Sequence, residues 1–158
     1  MSGPGAVEAE IQALLYEVCP LYQHIGMSVE HARDGLYRCR VPLTPANINH
    51  LGTVHAALQW ALGEVSGGLA ILSIFPPARF ARLYAAVTWV ECEFLKPARG
   101  ALIAEARMST AEHERVRAAV DAGEEGRFGL DIAVSLEASG DSVANLKAKY
   151  IVRPRRAA

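Results

Sequence analysis

Residues 56–75 form a mostly apolar run of helical length that carries a single acid, Glu64. A helix that is apolar on every side has to be covered on most of them. One strongly curved sheet wrapped around it is the economical cover, so the run predicts an α+β domain with a largely antiparallel sheet. Ala61, Gly63, Ser66, Gly67 and Gly68 lie within it, and their small size lets a sheet come close. The acid adds a chemical constraint. An ionised carboxylate buried without partners is expensive, so Glu64 has its pKa raised, reaches solvent at a cleft, or meets a polar partner.

The run is about as long as a membrane span. It contains Gln59, Glu64, Ser66 and the Gly67-Gly68 pair and has no flanking basic anchors, which makes it a core helix and not a span. At 158 residues, 51% hydrophobic and 21% charged, the chain suits one domain, residues 1–158, able to bury a full core. A formal net charge of -1 argues against nucleic acid or an anionic membrane as partner. Lys147, Lys149, Arg153, Arg155 and Arg156 make the C-terminal end locally basic, and they read as a solvated tail. Cys19, Cys39 and Cys92 form no CxxC pair, so neither a disulfide framework nor a zinc site is indicated, and a reducing cytoplasm fits. Residues 1–5 lead into Glu8 and Glu10 without a basic n-region or apolar h-region, and no export signal is expected.

Residues 7–19 place Val7, Ile11, Leu14, Leu15 and Val18 at helical spacing, with Pro20 as a stop. Residues 27–33 and 36–43 read as strands joined at Asp34-Gly35, a dipeptide whose two centres tolerate positive φ. After the long helix and the Pro76-Pro77 break, residues 83–95 and 101–108 supply two more strands, the first long enough to bend. Residues 111–125, with Glu112, Glu114, Arg115, Arg117 and Asp121, read as a solvated helical excursion. The last two strands alternate with period two: Leu130, Ile132, Val134 and Leu136 share one face, as do Ala144, Leu146, Ala148, Tyr150 and Val152.

The pattern Asn49-x-x-Gly52-Thr53-x-His55, with Glu64 nine residues after the histidine, resembles the hotdog-fold acyl-CoA thioesterases. The match is closest to the branch containing the phenylacetic-acid-pathway thioesterases and related uncharacterised hotdog domains. The element order agrees with that fold from about residue 26 to residue 152. The resemblance implies hydrolysis of a thioester to a free acid and coenzyme A, without metal or organic cofactor, coenzyme A entering as part of the substrate. It implies that Glu64 is general base or nucleophile and that Asn49 helps place water or substrate. Gly52 and His55 belong to the same binding segment, and the N–H just after the histidine, at Ala56 or Ala57, holds the oxyanion. A helix N-terminus suits that task, because its first donors are unpaired and the helix dipole is positive there. The family commonly has two glycines after the histidine; here Ala56-Ala57 narrows the space and keeps the donors.

Helix geometry adds a deduction of its own. With a rise of about 1.5 Å per residue, Glu64 lies about 12 Å along the axis from Ala56. One thioester carbonyl cannot touch both, so the acid has to come from a second chain, and an antiparallel two-fold dimer supplies it. Hotdog proteins are built as such homodimers, their sheets joined edge to edge, and pairs of dimers stack into homotetramers through the helix side or the sheet side. Structural roles compete for the same residues. Asn49 can cap the loop or the helix start, His55 can be a hydrogen-bonding residue there, and Glu64 can be a buried acid paired with an Arg or His. Arg79, Arg82, Lys96 and Arg99 flank the long central strand, where they meet coenzyme A phosphates or are simply solvated. Trp60 reads as core, interface or acyl-channel lining. Residues 21–26, 60–72 and 75–84 would set pocket length. Two other functions share the fold: a non-catalytic acyl-CoA or lipid-binding protein, and a dehydratase or hydratase acting on acyl thioesters.

Overall fold

The computed structural model describes residues 5–155. Residues 1–4 of the N-terminal stretch and Arg156 of the basic tail lie outside them. In chain order the elements are α1 (Ala6–Val18), α2 (Pro20–His24), β1 (Ser28–Arg33), β2 (Leu36–Val41), α3 (Ala56–Ile74), α4 (Pro77–Phe80), β3 (Leu83–Phe94), β4 (Leu102–Arg107), α5 (Thr110–Asp121), β5 (Gly126–Leu136) and β6 (Ser142–Pro154). The six strands form one sheet in the order β1-β2-β4-β5-β6-β3, and every pairing is antiparallel. The sheet curves around α3, which touches all six strands. This is the α+β arrangement expected from the apolar run. By length and composition alone α3 could cross a membrane, with a mean hydropathy of 1.3, but 67% of that window is buried inside the protein.

Local chemistry explains most boundaries. Asp34 and Gly35 have φ of 54° and 70°, as a two-residue hairpin turn between right-twisted strands requires. The inward residues of β5 and β6 follow the alternating pattern: Leu130, Ile132 and Val134 lie beside their antiparallel partners Ala148, Leu146 and Ala144 on the core-facing side of the sheet, Phe128 joins them beside Tyr150, and Leu136 is only partly buried. Ser109 caps α5 by accepting the Glu112 N–H at 3.2 Å, and Val116 and Val120, one turn apart, seat that helix on β5 and β6. The helical excursion is therefore solvated on one side only. At its far side Ser73 Oγ lies 3.1 Å from His113 Nε2 and 3.2 Å from the Tyr37 hydroxyl, which ties α5 to the end of α3.

Three features differ from the sequence reading. Pro20 ends α1 but also opens α2 at the first helical position, where its missing N–H costs nothing. In α1 the stripe facing the core is Glu8, Ile11 and Leu15, while Val7 and Val18 remain about half exposed. Glu8 can be buried because its carboxylate accepts from the Ala32 N–H at 3.3 Å and pairs with Arg33 at 3.2 Å. Finally, β3, read as the long central strand, is an edge strand of the single chain, since among the described residues only β6 pairs with it. A bulge at Thr88 interrupts its alternation between the Val87–Tyr150 and Trp89–Lys149 pairs.

The helix lies close against β6. A Cβ on Gly67 would sit 2.0 Å from Cε1 of Tyr150, and one on Gly63 would sit 2.6 Å from Cδ2 of Leu146. Gly68 faces elsewhere, with its nearest neighbour, Leu15 Cδ2, at 3.6 Å. Adding a methyl at Gly67 forces Tyr150 out of its stack on Phe128, where the rings are 5.1 Å apart. Gly67→Ala is therefore expected to lose roughly 1–3 kcal/mol from overpacking, whereas Gly68→Ala is neutral or gains up to ~1 kcal/mol of helix propensity. Denaturant midpoints of the two variants check this, and equal stability would contradict the close packing.

Candidate active site

The segment before α3 is built by two asparagines. Asn47 is buried; its Oδ1 accepts the Thr44 N–H at 2.8 Å, and its Nδ2 donates to the main-chain oxygens of Ile25 and Pro42. Asn49 organises the turn that follows. Its Oδ1 accepts from the Leu51 N–H at 2.9 Å, the Thr53 N–H at 3.2 Å and the Thr53 hydroxyl at 3.1 Å. Its main chain exchanges bonds with Thr53 and Gly52. Gly52 has φ +68° with open space around it, so the turn asks for its backbone freedom and not for its small size. The Val54 N–H reaches the Ala98 main-chain oxygen at 2.9 Å, and Gln59 Nε2 donates back to Val54 O at 3.0 Å, fixing the entry to α3.

His55 is the N-cap of α3. Its ring Nδ1 accepts the Ala57 N–H at 3.1 Å, which occupies one of the helix's free donors. Among the described residues the Ala56 N–H has no acceptor. Of the two expected oxyanion donors, Ala56 is the one left open within the chain.

Glu64 sits a little more than two turns further along. The stripe of α3 that the sheet leaves partly uncovered runs through Ala57, Trp60, Glu64 and Gly68. Within the chain Glu64 makes no hydrogen bond to Asn49, His55 or the helix start. Its Oε2 instead accepts from the Tyr22 hydroxyl of α2 at 2.9 Å. Tyr150 of β6 donates to the Glu64 main-chain oxygen at 3.0 Å. No Arg, Lys or His pairs with Glu64 among the described residues. Burial raises the Glu64 carboxyl above the ordinary carboxylate range, and the Tyr22 hydrogen bond opposes the rise. Burial also pushes the Tyr22 phenol far up, reinforced by the charge of Glu64, so that hydroxyl stays a donor throughout the usable pH range. Tyr22 lies in the 21–26 segment read as setting pocket length, but neither tyrosine was legible as a partner of Glu64: Tyr22 is 42 positions from it in sequence, and only the fold of α2 against α3 joins them.

The basic residues proposed for phosphates divide into two groups. Arg79 pairs with Asp121 and lies 4.8 Å over the Phe75 ring, and Lys96 pairs with Asp141 at 3.6 Å. Arg82 and Arg99 have no ion pair among the described residues. Large apolar side chains left exposed fall on three regions: Val7, Val18 and Leu21 on α1 and α2, Leu43, Ile48, Leu51 and Trp60 around the helix entry, and Tyr84, Trp89, Phe94 and Leu95 along β3 and just beyond it. Two concavities of the single chain, of about 700 and 540 Å³, are lined by neither Glu64 nor Asn49. Among the described residues no group of three or more His, Cys, Asp or Glu is placed to hold a metal ion.

Comparison with known proteins agrees with this architecture. A protein of Pseudomonas aeruginosa of unknown function, described as a "Probable Thioesterase", is 27% identical and superposes with a TM-score of 0.79 over 97% of this chain and 99% of its own. A thioesterase of Haemophilus influenzae superposes with a TM-score of 0.66 at 14% identity, over 89% of this chain and 88% of its own. A Halobacterium salinarum protein named "Putative esterase" is 38% identical over 89 residues, 54% of this chain. That match spans 58% of the relative's own length. The sheet order, the long enclosed helix and these neighbours are those of the hotdog-fold thioesterases. Residues 8–152 match the family described as "Domain of unknown function (DUF4442)", and the chain belongs to that family.

Proposed function

We propose that this protein is an acyl-CoA thioesterase whose site is shared by two chains of a homodimer. One observation carries the reading: a half-buried carboxylate, raised above its ordinary range, on the partly uncovered stripe of a helix, with no cationic partner and with an open N–H at the helix N-terminus among the described residues. Such a carboxylate is a stronger base than one in water. In the proposed reaction Glu64 takes a proton from water as the oxygen attacks the thioester carbon. The carbonyl electrons move onto oxygen, where the Ala56 N–H of the other chain stabilises them. Collapse breaks the C–S bond, and the proton held by Glu64 passes to the sulfur, giving carboxylic acid and thiol. The nucleophile variant, with a mixed anhydride at Glu64, uses the same groups. Asn49 has its oxygen committed to the turn and keeps its Nδ2 group for water or substrate.

The dimer is supported by three features. Ala56 and Glu64 are about 12 Å apart along one helix, too far to act on one carbonyl. β3 is a twelve-residue edge strand with unpaired backbone groups, the kind of edge that a second copy extends. Among the described residues, eight of the eleven large exposed apolar side chains lie on or just beyond that strand and around the helix entry, as a covered surface would. Stacking of two dimers, a cytoplasmic location, and Arg82 and Arg99 as phosphate partners belong to the same reading, and the reaction as written needs no metal or organic cofactor. A second reading, a non-catalytic acyl-CoA or lipid binder, is favoured by the Ala57 N–H being engaged by His55 next to the two alanine methyls. Release of free thiol from a panel of acyl-CoAs separates the two; tight binding without thiol release would overturn the hydrolase.

Two variants test the roles. Glu64→Gln is expected to lose about 10²–10⁴ in turnover. The folded state holds the Glu64 proton more tightly than the unfolded chain does, so ionisation of Glu64 costs stability as pH rises from the unfolded through the folded pKa. Gln has no charge to bury, so the variant is as stable as the wild type or more so at neutral pH, with the difference vanishing below about pH 4. Denaturation across pH checks the sign, and a variant less stable at neutral pH contradicts it. Asn49→Asp keeps an acceptor for all three turn bonds and loses the amide donor, whereas Asn49→Ala loses both. Asn49→Ala should cost roughly 1–3 kcal/mol of stability. Asn49→Asp should fold normally and turn over slowly; a normal rate in that variant would leave Asn49 with the turn alone.

A further inference from the structure

We propose that Tyr22 is the positioning residue for Glu64: its phenol holds Oε2 and leaves Oε1 as the oxygen that meets water or the thioester. This rests on the hydrolase reading above. Tyr22 is buried on α2, its hydroxyl 2.9 Å from Glu64 Oε2, and no other side chain bonds the carboxylate among the described residues. Two tyrosines thus grip the same residue from opposite elements. Tyr150 of β6 fixes the main chain of Glu64, and its ring lies against Gly67, one helical turn on. Tyr22 fixes the side chain, so the carboxyl group has one bonded and one free oxygen.

The contact is also the one that favours the charged form of Glu64. The titratable groups facing this contact are Tyr22 with Cys19 at the start of α2, Cys39 of β2 and Tyr150 of β6. None is a cation. Burial drives Glu64 toward the neutral acid, and the Tyr22 hydrogen bond opposes it. A hydrogen bond to a charged group is worth enough to move a titration midpoint by roughly one to two pH units.

Tyr22→Phe keeps the ring and its packing and removes the hydroxyl. Titration of the Glu64 carboxyl by NMR, with 13C-labelled glutamate and Glu64→Gln for assignment, should show the midpoint rising by about one pH unit or more in Tyr22→Phe. The acid limb of kcat/KM for thiol release should move to higher pH by the same amount. A merely structural tyrosine would lower the rate at every pH and leave the limb where it was. An unmoved limb in Tyr22→Phe, with Glu64→Gln inactive, overturns the proposal and leaves the hydrolase standing. Turnover that survives in Glu64→Gln overturns Glu64 as the catalytic group, and with it the proposed role of Tyr22, whatever the NMR midpoint shows, whereas a wild type that releases no thiol overturns the hydrolase reading itself.

Discussion

The packing of one apolar helix against one curved sheet is the constraint on which the rest of the molecule depends. Gly63 and Gly67 remove two side chains from α3, and Leu146 and Tyr150 of β6 occupy the space. The close approach lets a single sheet reach the helix from all six strands. It also brings the Tyr150 hydroxyl onto the helix backbone at Glu64. The same contact that closes the core therefore fixes the rotation of α3 and determines which stripe stays uncovered. Ala57, Trp60, Glu64 and Gly68 lie on that stripe, and the acid is among them.

The electrostatics follow from this placement. A carboxylate on a half-buried stripe loses part of its hydration, and here a phenol takes the place that a cation fills in a structural ion pair. Glu8 shows the other solution in the same chain. It is fully buried, accepts a backbone N–H and pairs with Arg33, and it locks α1 to β1. A carboxylate that is satisfied holds a fold together, and one left with a free oxygen and a raised pKa is available for chemistry.

Much of this was legible in the residues. The enclosed helix followed from its composition, the β1–β2 hairpin from Asp34-Gly35, and the inward faces of β5 and β6 from strict alternation. In each case the signal is local, because the physics that decides it acts over a few residues. What the sequence did not disclose depends on long-range packing. The edge position of β3 is a matter of strand order, and no periodicity encodes it. The rotation of α1 that buries Glu8 and exposes Val18 depends on Arg33 being within reach. In the site, the Asn49-to-His55 pattern located the helix entry, while the split between a committed Ala57 N–H and an open Ala56 N–H needed the ring position of His55. Tyr22 fell within residues 21–26, read as setting pocket length, but nothing marked it as the partner of Glu64, which lies on a different element.

The central claim is that each site draws Glu64 from one chain and the helix N-terminus from another. Subunit mixing tests it most directly. Ala56→Pro removes the open donor at the first helical position, where proline is tolerated, and His55 already has the φ of −60° and ψ of 139° suited to a following proline. Mixed with Glu64→Gln and allowed to re-associate, two inactive proteins should regain about a quarter of the wild-type rate per chain, because half the dimers then hold one intact site. Mixed dimers that form and remain inactive would contradict a site built from two chains.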